Sequence, residues 1–258
     1  SECAVRCAQA IEDLILFHGP STVCAVIAEP IASTPIIPGD EYWPMLRQIC
    51  DKYGVVLIAD EVINGFGRTG KMFAMEHFGV TPDILTMAKG ITSSYLPLAN
   101  TIVTPQISDA FAGSDNIFRQ ALTFGGHPVT AAAALANIEI IESEGMVENS
   151  EKTGAYFLEQ LKSLQADHEM IGDVRGIGLL VGMEFVKDRE SKASFPAEAQ
   201  LGDKLTEAFR EERLILLGGN GRTVGMGPPL CMTPEDVDEV VGRLDRAIGN
   251  VEKTLPIS

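Results

Sequence analysis

Val55 to Gly70 reads VVLIADEVINGFGRTG. Val55 to Ala59 is a continuous apolar run of strand length, the pattern of a strand in a parallel sheet. It stops at two carboxylates, Asp60 and Glu61, and a glycine-rich segment with Arg68 follows. An unpaired charge inside a sheet is costly, so the buried run must end where the charges begin. The pattern recurs on both sides. VCAVIAEP, Val23 to Pro30, reads as a buried strand ending in Glu29. Asp83 to Met87 is a third apolar run, ending at Lys89, and Leu98 to Val103 is a fourth. Helical patterns lie between, from Glu2 to His18 and from Pro44 to Tyr53, the second closed by Gly54. Short apolar strands alternating with helices predict an α/β domain on a parallel sheet. Ligands collect beyond the carboxyl ends of such strands. Glu29, Asp60 and Lys89 are therefore expected on that rim.

Downstream of Leu98 to Val103 the pattern changes. His127-Pro128 opens an alanine-rich helix running up to Gly145, and a second helix spans about Asn149 to Ala166. VRGIGLLVGMEFV, Val174 to Val186, predicts a strand pair or a bent strand. Pro196 to Arg213 reads as helix, Leu214 to Leu217 as a short strand, and GGNGRTVGMGPPL as a glycine-rich loop. Thr233-Pro234-Glu235-Asp236 is a helix start, with a cap, proline at the first helical position and acids at the positive end of the dipole. That helix should reach about Lys253. The chain divides near Glu144: residues 1–144 are sheet-rich α/β, and residues 145–258 form a smaller α+β domain.

The 258 residues carry a formal charge of −16. That argues against a nucleic-acid partner, because phosphate binding needs a basic surface. No apolar run reaches the roughly 20 residues needed to span a bilayer, and no basic amphipathic stretch suggests a membrane surface. The five cysteines are odd in number and sit mostly in apolar or helical contexts. Free thiols in a reducing compartment, cytoplasmic, fit them better than a disulfide framework. The chain opens on Ser1 in a helical pattern, which reads as a piece of a longer protein.

Two glycine-rich segments are candidates for phosphate cradles. Gly176-Ile177-Gly178 lacks a correctly spaced third glycine, and Gly218 to Gly227 opens no helix, so both read as backbone packing. The four histidines form no HExxH pattern, so no zinc enzyme is implied. Lys89 and Asp60 carry more. Lys89 could pair with Asp60 or Glu61, or stand as a solvated loop lysine. It could also serve as an amine nucleophile at a ligand-binding rim, where partial desolvation favours the free amine. A lysine for an aldehyde and an aspartate for a pyridinium nitrogen are what pyridoxal 5'-phosphate (PLP) needs from a protein.

Five ordered segments add a resemblance: VIAEPI (Val26 to Ile31), LIADEVINGFGRTG (Leu57 to Gly70), PDILTMAKGITSSYLPL (Pro82 to Leu98), TFGGHPVTAAAALANIEII (Thr123 to Ile141) and DVRGIGLLVGMEF (Asp173 to Phe185). Together they resemble the class III, fold-type I PLP-dependent aminotransferases, especially the amine–pyruvate (omega) branch. The resemblance implies a homodimer with shared active sites and an amine donor and keto-acid acceptor such as pyruvate. It implies that Lys89 forms the Schiff base and carries the proton, and that Asp60 pairs with the pyridinium nitrogen. Val62 would pack on the ring, and Thr123 would reach the phosphate of the neighbouring subunit's cofactor. Glu29 would lie near the substrate, and Gly65 to Gly70 would be a structural loop. The same scaffold also hosts aminomutases, racemases and decarboxylases, and a truncated subunit could be non-catalytic.

Two departures qualify it. Family members are longer at the amino end and carry there a phosphate-binding loop and a stacking aromatic. The chain therefore reads as the C-terminal part of the large domain plus the small domain, and the fragment alone could be inactive. Many members of the branch also carry a carboxylate-binding arginine shortly before a PPL motif. Here Pro228-Pro229-Leu230 is present, but the arginine's place falls near Gly218-Gly219, and Arg222 is the nearby substitute.

Overall fold

A computed structural model describes residues 1–113, 115–218 and 222–255. The chain forms two compact units. One comprises Ser1–Ile31, Pro38–Phe66 and Lys71–Gly145; the other comprises Ala32–Ile37, Gly67–Gly70 and Met146–Ser258.

The first unit contains α1 (Glu2–His18), β1 (Ala25–Ala28), α2 (Tyr42–Tyr53), β2 (Val56–Asp60), β3 (Ile84–Met87), β4 (Asn100–Val103), α3 (Pro105–Asp109) and α4 (Pro128–Ser143). The sheet order is β1-β2-β3-β4. The first three strands are parallel, as their apolar runs predict, with Ile58 facing Ile27 and Ile84. β4 is antiparallel to β3, pairing Met87 with Asn100. No α-helix separates those two strands, and a parallel return needs such a crossover.

α1 and α2 cover one sheet face. Trp43, Leu46, Ile49 and Cys50 recur at helical spacing along α2 and are buried with Leu57 and Ala59 of β2. The Trp43 indole N–H donates to the Pro30 carbonyl at 3.1 Å. Gly54 ends α2 in the left-handed region at φ 68°, where the lack of a Cβ removes the steric cost. Alternate residues on β2, Val56 and Ile58, are only half-buried, so this strand is fully covered on one face.

The second unit contains α5 (Met146–Asp167), β5 (Ile171–Ile177), β6 (Leu180–Phe185), α6 (Leu201–Glu211), β7 (Leu217–Gly218), β8 (Thr223–Met226) and α7 (Pro234–Glu252). Its sheet is antiparallel, in the order β5-β6-β8-β7. Val174 to Val186 is thus a hairpin. Phe157 and Leu161 of α5, Val181 and Met183 of β6, and Leu244 and Ile248 of α7 centre its core. α7 starts at the Thr233 cap, whose hydroxyl accepts from Asp236 N while the Asp236 carboxylate accepts from Thr233 N. Two expectations change here. The strand expected at Leu214 to Leu217 shrinks to β7, because Leu214 is drawn into the core. The glycine-rich loop contains β8, which pairs with β6.

Glycines 176 and 178 serve backbone packing. A Cβ on Gly178 would stand 2.4 Å from the Thr69 carbonyl carbon, at φ 53°. The short segments Ala32–Ile37 and Gly67–Gly70 are tied into this unit by hydrogen bonds to their backbone carbonyls. Leu179 N donates to Arg68 O at 3.0 Å, and Arg175 Nε donates to Pro35 O at 2.7 Å. The Arg68 guanidinium donates to the carbonyls of Leu179 at 3.0 Å and Pro228 at 2.5 Å.

Candidate active site

Three adjacent parallel strands end along one edge of the first unit's sheet, each with an ionisable residue. Glu29 directly follows β1, Asp60 closes β2, and Lys89 lies two residues beyond β3. Val62 belongs to the same edge, because its backbone N–H donates to Asp60 Oδ1 at 3.1 Å. Thr86, register partner of Asp60, donates its hydroxyl to the same oxygen at 3.3 Å. A half-buried carboxylate is thus fixed in orientation by one hydroxyl and one amide.

Glu61 has the opposite setting. It is fully buried. Its carboxylate accepts from Ala74 N at 3.0 Å and Met75 N at 2.8 Å, at the start of the short helical turn Ala74–Phe78. Burial pushes the carboxyl up to about 7; the two amides pull it down, and the Glu76 and Asp60 charges push it further up. Glu61 is a structural brace, and sequence alone could not show where its bonds go.

Lys89 opens a 3-10 turn, Lys89–Thr92, and is exposed. Its φ is 43°, and Ser93 and Ser94 also adopt positive φ, at 47° and 63°. A left-handed conformation is unusual for residues bearing a side chain and marks backbone held by its surroundings. Gly90 lets this turn close on the preceding loop. A Cβ there would lie 3.1 Å from Phe66 Cβ and 3.3 Å from Gly65 O. Asn137 of α4 also reaches the turn: its side-chain amide donates to Gly90 O at 2.9 Å and Ile91 O at 3.2 Å.

The other expected residues lie elsewhere. Thr123 is exposed in the turn-rich stretch before α4. Arg222 belongs to the second unit, where its Nε stands 2.8 Å from Glu184 Oε1 without hydrogen-bond alignment. Of the place expected for the branch's arginine, Gly218 is in β7 and Gly219 lies outside the described residues. Thr86 and Asn137 were missed in the sequence. Asn137's one signal was being the lone polar side chain in the run AAAALANI.

An exposed primary amine and an oriented carboxylate, one strand apart, can together hold an aldehyde-bearing ring with a protonated nitrogen. Among the described residues no cluster could hold a metal ion, and no helix is long and apolar enough to cross a membrane.

Comparison with known proteins gives the family. The aminotransferase class-III family model matches residues 1–248. A diaminobutyrate–2-oxoglutarate transaminase of Halomonas elongata is 41% identical, over 98% of this chain and 55% of its own length. A taurine–pyruvate aminotransferase of Bilophila wadsworthia is 42% identical, over 98% of this chain and 58% of its own length. Among solved structures, a thermostable (S)-enantioselective omega-transaminase from Thermomicrobium roseum superposes with TM-score 0.92 at 40% identity, covering 97% of this chain and 56% of that one. The chain spans about half the length of the curated relatives it matches. Its fold is that of the fold-type I transaminases, with a parallel-rich sheet in the first unit. By sequence and structure alike, the chain belongs to the class III aminotransferases.

Proposed function

We propose that the protein of which this chain is part moves an amino group from an amine donor to a keto acid such as pyruvate, with PLP held by Lys89 and Asp60. The observation carrying this reading is the pairing of Asp60 and Lys89 at the ends of adjacent parallel strands. The residues fit the cofactor: an exposed amine on a constrained turn, and a carboxylate already oriented by Thr86 and Val62. When bound, PLP supplies an aldehyde to receive amines and a ring that draws electrons from the bond being broken.

In this reading Asp60 keeps the ring nitrogen protonated, and Val62 packs on one ring face. The Lys89 amine would hold the aldehyde carbon, and as a free amine it would take the proton from the donor Cα as a general base and return it as an acid. In the second half it delivers a proton to the carbon that was the acceptor's carbonyl. Residues 1–144 act as the cofactor-binding part and residues 145–258 as the small domain.

Glu29 and Arg222 are proposed for the substrate. Arg222 suits a mobile carboxylate ligand, since Glu184 keeps a second cation when it leaves: Arg175 Nη1, 3.0 Å from Glu184 Oε2. The two relatives' names carry different acceptors, 2-oxoglutarate and pyruvate, so pyruvate rests on the branch resemblance. A homodimer, with Thr123 reaching the neighbouring subunit's cofactor, is supported by exposed Phe118, Leu122, Phe124 and Leu135 in and before α4. Several large apolar side chains left exposed in one stretch are a common mark of an interface. The free thiols accord with a cytoplasmic setting.

The test is a near-visible absorbance titration with PLP, before and after borohydride, beside Lys89→Ala. Borohydride should fix the cofactor to the wild type at Lys89 and leave the variant unlabelled. Equal labelling of both would refute the role of Lys89. Light scattering checks the dimer, and a monomeric mass across micromolar concentrations would refute it.

A further inference from the structure

The turn that carries Lys89 combines strained backbone with few local bonds. Lys89, Ser93 and Ser94 all occupy the left-handed region, and the turn's own bonds are Ile91 N to Ala88 O at 3.1 Å, Ser93 N to Gly90 O at 3.3 Å, Tyr95 N to Thr92 O at 3.0 Å and Thr92 Oγ1 to Leu96 O at 2.6 Å. Further support comes from a helix more than forty residues downstream. Asn137 Nδ2 donates to both Gly90 O and Ile91 O, while Asn137 Oδ1 accepts from Ser93 Oγ at 2.7 Å. One side-chain amide thereby spends both donors and its acceptor on Gly90, Ile91 and Ser93 of the turn. The chemistry fixes the amide's orientation, because only nitrogen can face two carbonyls. α4 buries only Ala134 and Ile141, so this amide is a specific contact on an otherwise lightly packed helix.

We infer that Asn137 is a positioning residue for Lys89: it clamps the turn and so sets where the Lys89 amine stands. It touches no reacting atom. The inference rests on the proposed role of Lys89 and adds the device that holds it in place.

Three variants separate the contributions. Asn137→Ala removes all three bonds. Asn137→Asp keeps the shape and the acceptor for Ser93 but turns an oxygen toward the two carbonyls. Ser93→Ala removes only the third bond. Three readouts apply to the full-length protein that contains this chain: amide hydrogen exchange of the peptide over residues 89–95, the rate at which PLP is trapped by borohydride on Lys89, mapped by peptide mass, and the urea midpoint as a fold check. Asn137→Ala and Asn137→Asp should exchange on the order of tenfold faster and trap PLP on the order of tenfold more slowly. The aspartate should be at least as impaired as the alanine, Ser93→Ala should stay within about twofold of wild type, and the urea midpoint should hold.

Trapping at the wild-type rate in both Asn137 variants overturns the inference, even if exchange rises, because the clamp would then not position the amine. Unchanged exchange overturns it as well, because the turn would not need the clamp. Absence of trapping at Lys89 in the wild type is a different result: it refutes the reading of Lys89 under the proposed function, and the inference falls with it.

Discussion

Replacing Glu61 by glutamine should invert the usual effect of losing a hydrogen-bonded carboxylate. Glu61 is fully buried and its carboxyl is raised from 4.5 to about 7, chiefly by burial. The folded state therefore binds the proton more tightly than the unfolded chain. The linkage contribution is favourable below about pH 4.5 and is lost as pH rises through about 7. Above that, the ionised group weakens the fold by about 3 kcal/mol relative to its acid form. Between about pH 5.5 and 8.5 the expected change is about 2 kcal/mol. Glutamine has no such titration. It keeps one oxygen for Ala74 N or Met75 N and leaves the other amide unpaired, at a cost of about 1–3 kcal/mol at every pH. The variant should be clearly less stable at about pH 5.5 and close to wild type at about pH 8.5. Urea denaturation followed by Trp43 fluorescence measures this directly, since Trp43 is the sole tryptophan and is buried in the same unit. Falling stability from the chain's growing negative charge affects both proteins almost equally and cancels in the difference. A difference that stays constant within about 0.5 kcal/mol across this range would refute the argument. It would mean that the two backbone amides fully offset burial.

His168 offers a second titration in the other unit. Its ring nitrogens stand 2.7 Å from Glu252 and 2.9 Å from Asp245. Burial opposes the charge, but those two hydrogen bonds outweigh it and raise the pKa above 6.5. Its stabilisation is thus full below about 6.5 and disappears as pH climbs through the folded value. His168→Gln should lose roughly 1.5–3 kcal/mol at low pH and progressively less above neutrality, read by far-ultraviolet circular dichroism in urea; a loss independent of pH would show that no charge is involved. Gly178→Ala meets rigid backbone at 2.4 Å with φ at 53°, and should destabilise by at least about 2 kcal/mol; a thermal midpoint within a degree of wild type would contradict the packing role. Asp60→Asn should leave the urea midpoint within about 1 kcal/mol of wild type while weakening the electron sink. Full turnover of the variant at saturating PLP would dismiss the ring-nitrogen role.

Periodicity made the local elements legible. α1 follows its helical repeat from Glu2 to His18, and Gly54 stops α2 as a left-handed cap. The ionisable residues after three apolar runs located the strand-end rim before any coordinates. What stayed hidden depends on distant partners. β8 lies inside GGNGRTVGMGPPL, where glycines erase the β-branched signal, and pairing with β6 and β7 makes Thr223 to Met226 a strand. The direction of β4 follows from the connection before it, and its own residues carry no mark of it. Arg68 sits in a loop that reads as local, yet its acceptors are Leu179 O and Pro228 O. Asn137 could be read as a lone polar residue, but its acceptors come from the turn around Gly90.

Adjacent carboxylates at the end of one strand meet opposite fates because a strand's side chains alternate between faces. Asp60 shares a face with Thr86, its register partner, and its carboxylate stays half-buried at the rim. Glu61, one residue later, points into the interior and bonds the start of the Ala74–Phe78 turn. Its own carbonyl accepts from Gly65 N at 2.9 Å, so Glu61 ties down both ends of the loop that follows β2. A Cβ on Gly65 would lie 3.0 Å from that carbonyl, which explains glycine at this point in INGFGRTG. The same loop places Phe66 against Gly90. The buried carboxylate thus supports the wall on which the Lys89 turn rests, while the half-buried one faces the rim. A single dipeptide at a strand's end sends one carboxyl group to the rim and the other into the scaffold beneath it.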